Sequence, residues 1–288
     1  MPTTVYLDTA NWYDLAERRV NGESFERAVC AGIITPVLSF IHLMEFAQTH
    51  QRYREQVTSY IAGVTSDARV LWIKPLPAVA QAELRQSLLR FSGIAPGVLN
   101  VLAPAMVDSL TAQIPGLDKA EARTYSVTKL VQIMSGLPQF RRHQRFRTIQ
   151  AVRDIARLQY LKLRTRRLSL PGSSDYVRNT LADMPGTIET PGGLLIDVTS
   201  ELRDRFLVQL RWEECPAIEL RIALMRGLSL GSGGGYPSDF EDLFHLAPAL
   251  AYCDLAFADR RTYSALVRGG ARRLPMQNGQ FAGWSASL

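Results

Sequence analysis

Five acidic residues near the two ends of the chain have the types and spacing to do chemistry together: Asp8, Glu45, Asp239, Asp242 and Asp259. Asp8 closes the strand-like run Val5-Tyr-Leu7, and Asp259 follows the apolar run Leu255-Ala-Phe257. Asp239 and Asp242 are three apart, which puts them on one face of a helix. Glu45 falls within an apolar helical stretch, where an unpaired carboxylate is costly and a metal or an arginine partner is expected. In an open parallel sheet, ligands bind at the carboxyl ends of strands. If the strands before Asp8 and Asp259 are neighbours, four or five carboxylates therefore converge. Like charges so placed raise one another's pKa, and a hard divalent cation with oxygen ligands removes the conflict. Magnesium or manganese suits such a site, and zinc selectivity is not expected.

Other polar residues lie close to these acids in sequence. His42, three before Glu45, can orient it, meet a phosphate, or serve as a hydrogen-bonded structural histidine. Asn11 can hold Asp8 through its amide or cap a helix, and His245 stands three after Asp242. Trp12 and Tyr13 offer rings for a base, although core packing is the more ordinary use of such residues. Gly227-Leu-Ser229-Leu-Gly231 matches the GxSxG pattern of serine hydrolases. That pattern needs a strand before the serine and a helix after it, whereas here a helical stretch precedes and a glycine-rich loop follows. Gly231 to Gly235 lacks the Lys-Ser/Thr of a phosphate loop and reads as a hinge.

The elements that must position the acids follow from local pattern. Val5 to Leu7 reads as a buried strand, with Asp8-Thr-Ala-Asn11 starting a helix over Trp12 to Arg18. Ile33 to Leu38 reads as a second strand, and Ser39 caps the helix containing His42 and Glu45. Residues 51 to about 230 are mostly helical in pattern, broken at Pro/Gly pairs such as Pro96-Gly97 and Pro115-Gly116. Ser238 caps a helix over Asp239 to Ala247, which Pro248 should end or kink. A short strand before Asp259 and a helix over Arg260 to Val267 complete the pattern. Strand and helix thus alternate at both ends, which predicts an α/β fold split by a long helical middle.

The chain has 288 residues, 47% of them hydrophobic, enough for a sizeable core. The formal charge of +6 is concentrated between Arg141 and Arg167, where ten basic residues face one acid, Asp154. That segment is the candidate surface for a polyanion, with Arg157, Lys162 and Arg164 as phosphate contacts. Some of these arginines can instead lay their stems over apolar neighbours and keep their charges in water. Cys30, Cys215 and Cys253 show no metal-binding spacing and read as buried thiols of a reducing cytoplasm. No apolar run approaches the length of a membrane span, so a cytoplasmic protein with no membrane partner is expected.

Four segments, in order, resemble the PIN-domain nuclease family: Tyr6-Leu-Asp8-Thr-Ala-Asn11, Leu38-Ser-Phe-Ile-His-Leu-Met-Glu45, Ser238-Asp-Phe-Glu-Asp-Leu-Phe-His245 and Cys253-Asp-Leu-Ala-Phe-Ala-Asp259. The resemblance implies a three-layer fold with a central parallel sheet. Its core is residues 1–50 and 237–288, interrupted by a mostly helical insertion over 51–236 that partly packs on the core. It further implies hydrolysis of phosphodiester bonds by an endoribonuclease using magnesium or manganese, on single-stranded or looped RNA. Carried over by position, Asp8, Glu45, Asp242 and Asp259 fill the four acidic roles, with Asp239 competing for the third. Asn11, His42, Arg157, Lys162 and Arg164 are then candidates for substrate contact. A DNA nuclease of related fold, or a non-catalytic RNA-binding scaffold, are the alternatives, and a toxin-like chain would have an antitoxin or regulatory protein as partner. Phe257 departs from the family pattern, which has a small polar residue two before the last acid.

Overall fold

A computed structural model describes residues 2–66, 68–109, 118–137, 171–230 and 237–288. For 107, 109, 119, 171–175, 229 and 237–243 it describes the backbone alone. β1 (Thr3–Tyr6) leads into α1 (Thr9–Ala16) and α2 (Glu23–Cys30), and β2 (Ile34–Ser39) into α3 (Phe40–Gln48) and α4 (Gln51–Val64). β3 (Leu71–Ile73) precedes α5 (Leu76–Phe91), and β4 (Leu102–Ala103) precedes α6 (Met106–Ser109), α7 (Lys119–Ala122) and α8 (Val127–Gly136). Then come α9 (Pro171–Ala182), the hairpin of β5 (Thr187–Glu189) and β6 (Leu195–Asp197), α10 (Ser200–Gln209) and α11 (Pro216–Leu230). The chain closes with α12 (Pro237–Tyr252), β7 (Leu255–Ala258), α13 (Arg260–Gly269), β8 (Met276–Gln277) and α14 (Phe281–Ala286).

Six strands form the central sheet in the order β4-β3-β2-β1-β7-β8, all parallel except β4. Strand alternation sorts their side chains onto two buried faces. Val5, Leu7, Leu38, Trp72 and Phe257 enter a core shared with α1, α2, α3, α4 and α8. Tyr6, Val37, Ile73, Ala256 and Ala258 enter a second core shared with α5, α11, α12 and α13. The result is a mostly parallel sheet with helices on both faces. A third cluster, built on the far side of α5, holds α9, α10 and the β5–β6 hairpin. No helix among the described residues is long and apolar enough to cross a membrane.

The middle of the chain does more than its helical pattern predicts, because β3 and β4, both within 51–236, extend the central sheet. Their runs are only a few residues long, too short for a period to show against the flanking helices. Pro248 lies inside α12, which continues to Tyr252 rather than ending before it. Leu246, Ala247, Ala249 and Leu250 on either side of it are all buried in the second core, and that burial outweighs the roughly 3 kcal/mol cost of a helical proline. Cys215 and Cys253 are buried as expected, but Cys30 is exposed at the end of α2. Gly231 to Gly235, read as a hinge, falls outside the described residues.

The Gly227 of the GxSxG pattern has a packing reason. A Cβ on Gly227 would lie 1.6 Å from the Ala265 carbonyl oxygen, and one on Gly269 would lie 1.8 Å from that of Ala223. Ala223 and Gly227 on α11 therefore meet Ala265 and Gly269 on α13 backbone to backbone, a close approach that only small residues permit. Gly227→Ala is expected to destabilise the protein by about 3 kcal/mol through overpacking. Gly63→Ala, at a helical position with nothing within 4 Å of the new carbon, should be neutral or stabilising by up to about 1 kcal/mol. Urea unfolding of the two variants checks this, and equal midpoints would refute the close crossing.

Glu83 on α5 ties the second layer together. Fully buried, it accepts hydrogen bonds from the Ala217 and Ile218 amides at the start of α11, at 2.7 and 3.2 Å. It also accepts one from the Tyr252 hydroxyl at the end of α12, at 2.6 Å. Burial outweighs these donors and pushes its pKa up from 4.5 to about 7. A folded-state value above the unfolded one gives a contribution that is full below pH 4.5 and is lost as pH rises through about 7. Wild-type stability should fall by a few kcal/mol between pH 4.5 and pH 8 in excess of any fall in Glu83→Gln. Urea midpoints at both pH values decide it, and parallel losses in the two proteins would contradict the assignment.

Candidate functional site

The sheet order reverses at β1: β2 pairs on one side of it, and β7, from the far end of the chain, on the other. In parallel sheets such a switch point opens a crevice at the carboxyl edge. Tyr6 pairs with Val37 and Ala256, so Asp8 comes level with Ser39 and Ala258, and Asp259 is next along β7. Ala258 pairs with Gln277, which sets Asp259 level with Asn278 beyond β8. Asp8, Ser39, Asp259 and Asn278 thus share one edge of the sheet.

Three of these residues also start helices. Asp8 caps α1 by accepting from the Thr9 amide at 2.8 Å, Ser39 caps α3 through the His42 amide at 3.3 Å, and Asp259 caps α13 through the Thr262 amide at 2.6 Å. The positive ends of those helices make the edge hospitable to negative charge. Glu45 joins it from α3, where its Oε2 accepts a short hydrogen bond from the Thr9 hydroxyl, next to Asp8. Burial raises the pKa of nearby Tyr13, and the Glu45 charge pushes it further in the same direction. Asp8 and Glu45 are half-buried, while Asp259 is exposed.

Asn278 is brought to Asp8 across the end of β7, with Nδ2 donating to Asp8 Oδ2 at 2.7 Å. An ionised carboxylate only accepts, so the amide nitrogen must be the atom facing it. That leaves Asn278 Oδ1 buried without a hydrogen-bond partner among the described residues, and the same holds for Asn11 Oδ1. Asn11 is buried, with its Nδ2 3.5 Å from the Asn278 carbonyl. The carboxylates of Asp8, Glu45 and Asp259 offer a metal only oxygen ligands, which fits magnesium or manganese better than a soft metal. Among the described residues no three His, Cys, Asp or Glu side chains are grouped to hold a metal. Asp239 and Asp242 sit on the first half of α12, and their side chains are outside that description.

His42 is fully buried, and both of its ring nitrogens are used within the fold. Nε2 donates to the Leu7 carbonyl at 2.8 Å, and Nδ1 accepts from the Ser39 amide at 3.0 Å. Burial, reinforced by nearby His245, drops its pKa to about 3, so the ring is neutral and holds the end of β1 rather than facing a phosphate. Trp12 is core, edge-on to Phe25. Phe257 is fully buried and packs on Phe281 and Trp284 of α14. Arg157, Lys162 and Arg164 lie in 138–170, outside the described residues.

No family model matches this chain, and no curated protein and no solved structure matches it either. Sequence reasoning missed Asn278 and Thr9. Asn278 follows a strand of two residues, too short to announce itself, although an amide just past a strand end could have marked it.

If Asn278 belongs to a cation site, its variants should respond in opposite directions. Asn278→Asp adds a carboxylate beside Asp8, so it should melt lower without metal and gain more from millimolar manganese than the wild type. Asn278→Ala should gain less. Differential scanning fluorimetry with and without manganese reads both, and identical gains in all three proteins would place Asn278 outside the site.

Proposed function

We propose that this chain is a metal-dependent nuclease of the PIN type that hydrolyses phosphodiester bonds in single-stranded or looped RNA. The observation that carries the reading is the position of Asp8 and Asp259 just past the carboxyl ends of adjacent parallel strands, at the point where strand order reverses. Glu45 and Asn278 close on Asp8 from opposite sides, one through Thr9 and one directly. The order of the acids along the chain, the place of Asp8 and Asp259 on one edge of the sheet and the excess of basic residues all support a phosphate-bearing substrate.

Asp8, Asp259 and Asp242 are the ligands assigned to the ion, with Glu45 binding directly or through water. Bound there, magnesium or manganese supplies the Lewis acidity that activates water and neutralises charge growing on the phosphate. The protein's own share is positional. The α1 and α13 amides hold one oxygen each of Asp8 and Asp259, and Asn278 holds the second oxygen of Asp8 without adding negative charge. Arg157, Lys162 and Arg164 are the proposed contacts to flanking phosphates.

Manganese-dependent cleavage of a mixed-sequence RNA, run beside the matched DNA strand, tests the proposal. Asp8→Asn and Asp259→Asn should each cut turnover by more than about a hundredfold, beyond what a residue behind the ligands costs, and the double variant should lose little more. Cleavage of DNA alone would move the substrate. RNA binding with no cleavage in wild type or variants would make the chain a binding protein.

A further inference from the structure

Beneath the acids lies a buried polar cluster that none of the roles above uses. Tyr6, the last residue of β1 and two before Asp8, is fully buried, and its hydroxyl makes a short hydrogen bond with His245 Nδ1 in the middle of α12. The His42 ring lies 4.9 Å from the Tyr6 ring and 6.0 Å from that of His245. Both nitrogens of His42 are held by the ends of β1 and β2, so α3 and α12 brace the end of β1 from two layers. A purely apolar contact would pack a core equally well. A directional bond adds a fixed register between the strand and the helix.

That register bears on the acids. α12 reaches β7 through Cys253 and Asp254 alone and packs on the same sheet, so it must run antiparallel to β7 and to β1. A step from Tyr6 toward the carboxyl end of β1 and a step from His245 toward the start of α12 therefore lead to the same edge. Two residues along the strand stands Asp8. One turn back along the helix stands Asp242, about 60° around the axis from His245, whereas Asp239 is about 120° away. We infer that Tyr6 and His245 are positioning residues that set α12 against β1, so that Asp242 rather than Asp239 completes the site at Asp8. The inference rests on the metal-site reading above and goes beyond it in naming what holds the third acid in place.

The test is manganese binding by isothermal titration calorimetry at 20 °C on the full chain, alongside thermal melting. Tyr6→Phe removes the hydroxyl and keeps the ring. Its manganese dissociation constant should rise about 10- to 100-fold, the usual cost of losing a group that orients a ligand. Tyr6→Phe with His245→Leu leaves no unpaired buried polar atom from this pair, so its melting temperature should return toward wild type while metal affinity stays low. A merely structural bond would likewise lower melting in Tyr6→Phe but leave the wild-type dissociation constant in both variants, and that result overturns the inference. Loss of binding in Asp239→Asn with retention in Asp242→Asn overturns the choice of acid. If wild type and Asp8→Asn alike bind no manganese, the metal-site reading itself fails, and the positioning role falls with it.

Discussion

The register between β1 and β7 is the constraint on which the candidate site depends, and it is fixed at the end of the sheet opposite the acids. Asp254 accepts from both the amide and the hydroxyl of Thr4, and its own amide donates to the Thr4 hydroxyl, joining positions 250 residues apart. Those donors hold the Asp254 carboxyl below its ordinary range, so it stays an acceptor in mild acid. A slip of one residue would turn every side chain of β7 to the opposite face, forcing Phe257 into the second core and its small neighbours into the first. The offset of Asp259 from Asp8 along the sheet edge is therefore set by strand pairing and one carboxylate clamp at the far end.

The acids gain from this arrangement what they lack in one another. Carboxylates on a common edge repel, and each here is compensated locally by a helix start, a hydroxyl or an amide. Helix capping and metal binding are usually weighed as rival explanations for an aspartate after a strand. Here the cap fixes one oxygen of Asp8 and Asp259 and so settles the direction of the carboxylate, which is what a ligand requires.

The long middle of the chain is part of the same construction. It supplies β3 and β4 to the sheet and α5 and α11 to one of its faces. Glu83 links the start of α11 to the end of α12, while the small residues of α11 let α13 approach closely. The helix bearing Asp239 and Asp242 is thus anchored at its far end by a residue from the middle of the chain, and at its centre by Tyr6. The third cluster, on the other side of α5, gathers α9, α10 and the β5–β6 hairpin and contains none of the acids.

The sequence by itself determined the local features: strands ending at Asp8 and Asp259, caps at Asp8 and Ser39, helices after them, and an α/β chain with a helical middle. These are legible because apolar alternation and capping act over a few residues, and each leaves its mark in adjacent letters. Tertiary structure decided the rest. Strand order, the place of β3 and β4, the passage of α12 through Pro248, and the buried states of His42 and Glu83 depend on surfaces that meet from distant parts of the chain. Asn278 shows the limit most plainly. It follows too short a strand to be recognised, and it matters only because β8 docks beside β7 and carries an amide to Asp8. Pairing between distant strands is selected by the whole core at once, so no window of sequence contains it.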